Sequence, residues 1–331
     1  MVSGSNSSSA TYLALLKQGA AEWNLWRASH PQLAIDLQGA DLRGLNLVAA
    51  NLSGINLTDA DLSGANLNAA DLQDSVLVGV TGIQTSLMGA CLDRANLLGS
   101  CLLRANLMRA RLRRSNLGRA RLRGANMASC QLGQAVLIRA DLSGVDLSDA
   151  IATGANFSGV RFNEAIAACA RLCVSNWMGA DLRQATFVGA NLTGSVFGGA
   201  SLQQTNFRYA QLNEADLYGV RASQADFSGA NLTGACFQDW RVSSQVRFDY
   251  AICDFAYLRR GSRDRHPANP QDVMSPEEAA TFLNGLMRQS NVPPVDPPED
   301  ATQPCTDPDW LDSELPAVSS AQTSSLDLHE D

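Results

Sequence analysis

Few residues of this chain could do chemistry, and most are poorly placed for it. The three histidines, His30, His266 and His329, all lie near the ends of the chain or in the segments flanking its centre, which removes ordinary imidazole acid–base and zinc chemistry from the middle. Eight cysteines (Cys91, Cys101, Cys130, Cys169, Cys173, Cys236, Cys253, Cys305) are scattered and include no CxxC pair. They are expected to be reduced thiols, without disulfides or a metal, and Cys169 and Cys173, four apart, read as isolated thiols. Carboxylates such as Asp61, Asp71 and Asp141 recur at one regular place. Hydrogen bonding to nearby backbone accounts for that regularity better than acid–base catalysis does. No Gly-rich phosphate loop, HExxH or GxSxG motif is present. No catalytic residue, metal site or cofactor is assigned, and an enzyme is not expected.

Arginine is the exception. Between Arg94 and Ala140 stand Arg94, Arg104, Arg109, Arg111, Arg113, Arg114, Arg119, Arg121, Arg123 and Arg139, ten arginines and not one acid. Arginine's planar fork suits carboxylates and phosphates, but the choice over lysine carries no information, since Lys17 is the single lysine. The net charge of −8 conceals this distribution. From Asp36 through Arg260 twenty arginines face eighteen acids, whereas after Arg288 ten acids follow with no lysine or arginine.

The elements that carry these residues follow from a repeat. A large apolar residue returns every five positions from Leu37 to Phe237, and thirty-seven of the forty-one such positions are Leu, Phe, Met or Trp, the exceptions being Gly82, Ala152, Ala167 and Ala222. Two positions earlier stands, in nearly every unit, a small or β-branched residue, Ala in twenty-six of them. A helix turning ~100° per residue would smear this pattern around its circumference. A continuous strand would send successive leucines to opposite faces. The direction must therefore be reset every five residues by a corner, whose second position is often Gly, as at Gly39, Gly64 and Gly144. Interior residues choose four units per coil: Phe187, Phe207 and Phe227 then share one side, and Leu192, Leu212 and Leu232 the next.

The pattern, as in Ala60-Asp61-Leu62-Ser63-Gly64-Ala65-Asn66-Leu67, resembles that of the pentapeptide-repeat family, A(D/N)LXX. The resemblance implies an all-β solenoid, a right-handed quadrilateral β-helix of about ten coils. The flanking segments look like those of bacterial, particularly cyanobacterial, members.

A solenoid must cover its ends. The expected organisation is a disordered segment 1–10, a capping helix within 11–34 presenting Tyr12, Leu16, Trp23 and Trp26, the β-helix over 35–260, a basic linker and helix over 261–290, and a disordered acidic, Pro-rich tail over 291–331. The units shift by one inserted residue after Trp240. Ser275-Pro276-Glu277-Glu278 reads as a capping box with Pro at the first helical position, opening a helix whose stripe is Ala279, Phe282, Leu283, Leu286 and Met287.

On a four-unit coil Arg94, Arg111, Arg113 and Arg114 share one side and Arg104, Arg121 and Arg123 the opposite one, so the arginines form a belt. Arg94 and Arg114, one coil apart, would repel unless a counter-charge stands nearby. The reading is a non-enzymatic protein–protein interaction scaffold, a cytoplasmic monomer with a protein partner and no membrane. Its alternatives are nucleic-acid or other polyanion binding through the belt, and DNA mimicry toward gyrase, which some relatives of similar pattern perform with an acidic rod. The acidic tail is a further candidate for occupying the belt.

Overall fold

The computed structural model describes residues 5–241 and 245–289. The chain separates into two units, Met1–Asn291 and Val292–Asp331. The acidic tail lies outside the described residues.

From Asp36 onward the backbone makes isolated parallel bridges between residues twenty apart, from Asp36↔Asn56 to Arg221↔Arg241. Twenty residues are four units, so each coil has four sides. We number them first to fourth by the central residues Leu37, Leu42, Leu47 and Leu52, all fully buried. After Arg241 the spacing becomes twenty-one, as in Asp226↔Arg247 and Asn231↔Ile252, which accommodates the inserted residue.

Each unit repeats one hydrogen-bond pattern. The central residue's carbonyl accepts from the amide three residues on, as in Ala40 N to Leu37 O at 3.0 Å, while Gly39 N donates to Thr58 O of the next coil at 2.8 Å. The residue before the centre closes the turn with its side chain: Asp61, Asp71 and Asp141 each accept through Oδ1 from the amide two residues on, at 2.9, 3.0 and 3.1 Å. These carboxylates are therefore structural, as the sequence pattern implies. The second turn residue has positive φ in all forty-one units from Gly39 to Asp239, between 51° and 76°, as a type II turn requires.

The interior is filled by side chains stacked coil on coil. Phe187, Phe207, Phe227 and Phe248 lie nearly parallel with centroids 5.1, 5.0 and 5.5 Å apart. On the first side Trp177 lies between Phe157 at 4.1 Å and Phe197 at 6.3 Å. Where Gly82 leaves a central position empty, Leu102 of the next coil leans in; a Cβ at Gly82 would lie 2.8 Å from Leu102 Cδ2. Close packing is thus kept even at a missing side chain.

The N-terminal cover is two helices rather than one, α1 (Ser5–Lys17) and α2 (Ala20–Ser29). Gly19 divides them, with φ 119, a backbone region that favours glycine. Residues 5–10, expected to be disordered, extend α1, because lengthening a helix already nucleated adds one hydrogen bond per residue. Leu16 and Trp23 are fully buried, and Tyr12, Leu13, Leu15 and Trp26 pack against the core.

The helix α2 does more than cover apolar surface. The first coil has no coil beneath it, so its amides and carbonyls on that edge need other partners. On the fourth side Asn51 N donates to Asn24 Oδ1 at 2.7 Å, Trp23 Nε1 donates to Asn51 O at 2.6 Å, and Arg27 donates to Ser53 O at 3.1 Å. Three side chains of one helix thus stand in for a coil that is absent. Arg27 is 6% exposed and also donates to Leu33 O at 2.7 Å.

At the other end the expected basic linker is a hairpin, β1 (Ala256–Arg259) paired antiparallel with β2 (Arg263–His266). Ala256 still points into the core, but Leu258 is 39% exposed, because the chain leaves the coil there to form the hairpin. Arg265 then donates to Asn269 O at 2.7 Å and Asp272 O at 3.0 Å and lies over the Phe255 ring. The third helix, α3 (Pro276–Gln289), begins with the expected capping box: Ser275 N donates to Glu278 Oε2 at 2.8 Å, and Glu278 N to Ser275 Oγ at 3.3 Å. Ala279 and Leu283 are buried, and Phe282 and Leu286 pack on the core. Phe282 stacks on His266 and meets Phe237 edge-on. The Met287 side chain lies outside the described residues.

Candidate functional site

The ten arginines fall on the coils as the four-unit repeat requires, and every one has its place in a unit. Arg111 and Arg121 precede buried leucines, and Arg113 and Arg123 follow them. The other six, Arg94, Arg104, Arg109, Arg114, Arg119 and Arg139, occupy the left-handed turn position, with φ between 55° and 60°. That position recurs forty-one times, Gly fills it eighteen times, and outside this segment no arginine or lysine does. A side chain there costs about 1 kcal/mol relative to Gly. Twenty-three of the forty-one positions carry a side chain at that cost, so the backbone conformation does not set these six apart; their positive charge, clustered over three coils, does.

The belt is not evenly charged. Asp93, one residue before the acid-free stretch, has its side chain 8% exposed and serves both Arg111 and Arg113. It accepts from Arg113 N at 2.9 Å and from Arg113 Nη2 at 3.1 Å, and from Arg111 Nε at 3.1 Å. Burial pushes its carboxyl up, but these hydrogen bonds outweigh burial and hold it below the usual carboxylate range. Arg94 forms a two-pronged pair with Asp74, at 2.7 and 2.6 Å. Arg114 donates to Gln134 Oε1 at 2.9 Å. The repulsion expected between Arg94 and Arg114 is thereby relieved on the fourth side, where both lie.

Among the described residues no ion pair reaches Arg104, Arg109, Arg119, Arg121, Arg123 or Arg139. The unneutralised charge therefore lies mainly on the second side and at the corner before it, with Arg109 on the third. Sequence reasoning missed Asp93 and Asp74. Both stand twenty residues before an arginine they contact, a spacing the repeat itself provides.

The remaining chemistry is sparse. Cys91, Cys101, Cys130, Cys169, Cys173, Cys236 and Cys253 are free thiols. Burial pushes the Cys253 thiol up to about 12 and also raises those of Cys130 and Cys236, which opposes a nucleophilic role. Among the described residues no group of three potential metal ligands occurs, and no helix is long and apolar enough to cross a membrane. Two clefts lie at the ends of the coil and not inside it. One of about 400 Å³ is lined by Leu16, Lys17, Ala20 and Leu45; another of about 420 Å³ is lined by Glu214, Asp216, Cys236 and Arg260. In the second, Arg260 is held by Asp216 at 2.8 Å and lies over Tyr218.

The cap residues named from sequence, Tyr12, Leu16, Trp23, Trp26, Phe282, Leu283 and Leu286, all meet the core. Asn24 and Arg27, which bond the open edge, were not singled out as cap residues.

The family model for pentapeptide repeats matches the chain in eight copies, over residues 35–74, 65–102, 90–128, 105–144, 130–166, 140–176, 175–210 and 210–239. Among solved structures the chain is similar to HetL, a pentapeptide repeat protein involved in heterocyst differentiation regulation from the cyanobacterium Nostoc sp. strain PCC 7120. The identity is 28% over 71% of this chain and 95% of that one, with a TM-score of 0.40. Rfr23, a pentapeptide repeat protein from the cyanobacterium Cyanothece 51142, is 29% identical over 30% of this chain and 62% of its own, with a TM-score of 0.20. Full-length QnrB1, a plasmid-mediated fluoroquinolone resistance protein, is 18% identical over 67% and 93%, with a TM-score of 0.32. No curated protein matches.

Proposed function

The chain belongs to the pentapeptide-repeat family, and from that premise we propose that its right-handed, four-sided coil is a rigid scaffold that binds a protein partner on its surface and performs no reaction itself. One observation carries the reading: six arginines occupy left-handed turn positions where the rest of the coil uses Gly or a residue other than Arg and Lys. A coil that gathers cationic side chains at these corners, and among the described residues leaves several of them without an ion pair, is adapted to meet an anionic surface. The filled core supports the same view, since what the repeats offer to other molecules is their outside.

Polyanion binding by the belt as a whole has less support. No aromatic residue interleaves the arginines between Arg94 and Ala140, so bases have nothing to stack on. The charges also turn around the coil instead of lining one groove. Mimicry of DNA would need an acidic rod, and this one is near neutral with basic coils in its middle.

Cross-linking in the native host, followed by mass spectrometry, tests the scaffold reading. The expected result is one protein joined to the repeat coils in stoichiometric yield. A chain that never cross-links to another protein would refute it.

A further inference from the structure

At the corner between the first and second sides, six successive rungs carry Gly79, Gly99, Arg119, Arg139, Gly159 and Gly179 at the left-handed position. Two arginines thus stand one rung apart, about 4.8 Å, in a row of bare corners. Among the described residues neither has an ion pair. Asp141, two residues after Arg139, accepts through Oδ1 from Ser143 N at 3.1 Å and Ser143 Oγ at 2.6 Å, and Asp59 stands three rungs below Arg119 on the same corner. Mutual repulsion and a strained backbone conformation therefore coincide at two positions whose neighbours in the row avoid both.

Beside these arginines the surface is apolar. Leu98 is 38% exposed, Val136 37% and Ile138 39%. Gly118, on the rung between Leu98 and Ile138, has no side chain to separate them; a Cβ there would lie 3.1 Å from Leu98 Cδ1. Leu98 leans over this gap, so apolar surface runs across consecutive rungs next to the twin charges.

We propose that this corner, with Arg119 and Arg139 against Leu98, Val136 and Ile138, is the docking surface of the scaffold, and that its occupant is an acidic protein segment carrying apolar side chains among its carboxylates. The proposal rests on the scaffold reading and deepens it. Charge complementarity selects the occupant: each guanidinium offers a fork that a carboxylate fills with two hydrogen bonds, and apolar side chains of the same segment remove Leu98 and Ile138 from water. A nucleic acid fits worse, because its phosphates would be desolvated against the leucine and isoleucine without return.

The test uses the full chain and three defined probes: a random copolymer of glutamate and tyrosine, poly-glutamate, and a short DNA duplex, followed by fluorescence anisotropy. The copolymer should bind more tightly than poly-glutamate, and more tightly than the duplex. The double variant Arg119→Gly, Arg139→Gly should bind the copolymer about tenfold or more weakly. It should also melt about 2 °C or more higher, since the strain and the repulsion are removed together. The Leu98→Ser, Ile138→Ser variant, checked for an unchanged fold by circular dichroism, should bind the copolymer no better than poly-glutamate. Unchanged copolymer affinity in the glycine variant, or tighter binding of the duplex, overturns the proposal. Retention of the cross-linked partner by the glycine variant would overturn this corner as the site while leaving the scaffold reading in place. Absence of any cross-linked partner for the parent chain would remove the scaffold reading itself, and this proposal with it.

Discussion

Asp93 shows how much one side chain settles in a repeat. It is buried on the fourth side and holds two arginines that would otherwise repel each other and Arg94. Replacing it by Asn should cost about 1–2 kcal/mol in chemical denaturation at neutral pH, less than a fully buried pair because both arginines are half-exposed. The sign of its pH dependence follows from the lowered carboxyl. A folded-state pKa below the unfolded value gives stability that is present above the ordinary carboxylate range and is lost as the pH falls through it. The gap between the native chain and Asp93→Asn should therefore narrow at about pH 3. An equal gap at both pH values would show that the ionised carboxylate is not what stabilises this side. The arginines were plain in the sequence, but their neutralisation was not, because Asp93 lies just outside the acid-free interval and makes its contacts eighteen and twenty residues away.

The repeating unit was legible in full, since five-residue periodicity, small interior residues and frequent corner glycines all act within one turn of chain. The end elements were legible by type and not by task. The aromatic residues of α2 announced a buried face, yet nothing in the sequence says which backbone groups of the first coil face it. The position of Asn24 and Arg27 beside that edge depends on how the helix sits, a tertiary property. The basic segment after Leu258 misled for a similar reason: its arginines suggested solvent, whereas Arg265 is used to gather the carbonyls of the chain that leads to α3. If α2 substitutes for a coil, Asn24→Ala should leave Asn51 N without its acceptor and lower stability by about 1–2 kcal/mol. Amide exchange should accelerate at Asn51 before it does at residues of the second coil. Uniform exchange along the chain would contradict a local capping role.

For the first unit as a whole, stability is the sum of neighbouring coils plus two covered ends. The bottom edge consists of parallel-pairing groups with no partner of their own, so removing residues 1–33 would present an unpaired ladder to solvent. That truncation should self-associate at concentrations where the full chain does not, as read by light scattering after gel filtration. A truncated chain that stays monomeric would mean that the open coil satisfies its own edge.

The twenty-residue pitch has a consequence for how such a chain changes size. Adding or losing five residues would turn everything beyond that point by a quarter revolution, carrying charges from one side of the molecule to the next. Gain or loss of a whole circuit lengthens or shortens it like a storey of a tower and leaves every address above and below in line. Natural variants of this protein should therefore differ in height by multiples of twenty residues wherever the alignment of features on separate coils has to survive.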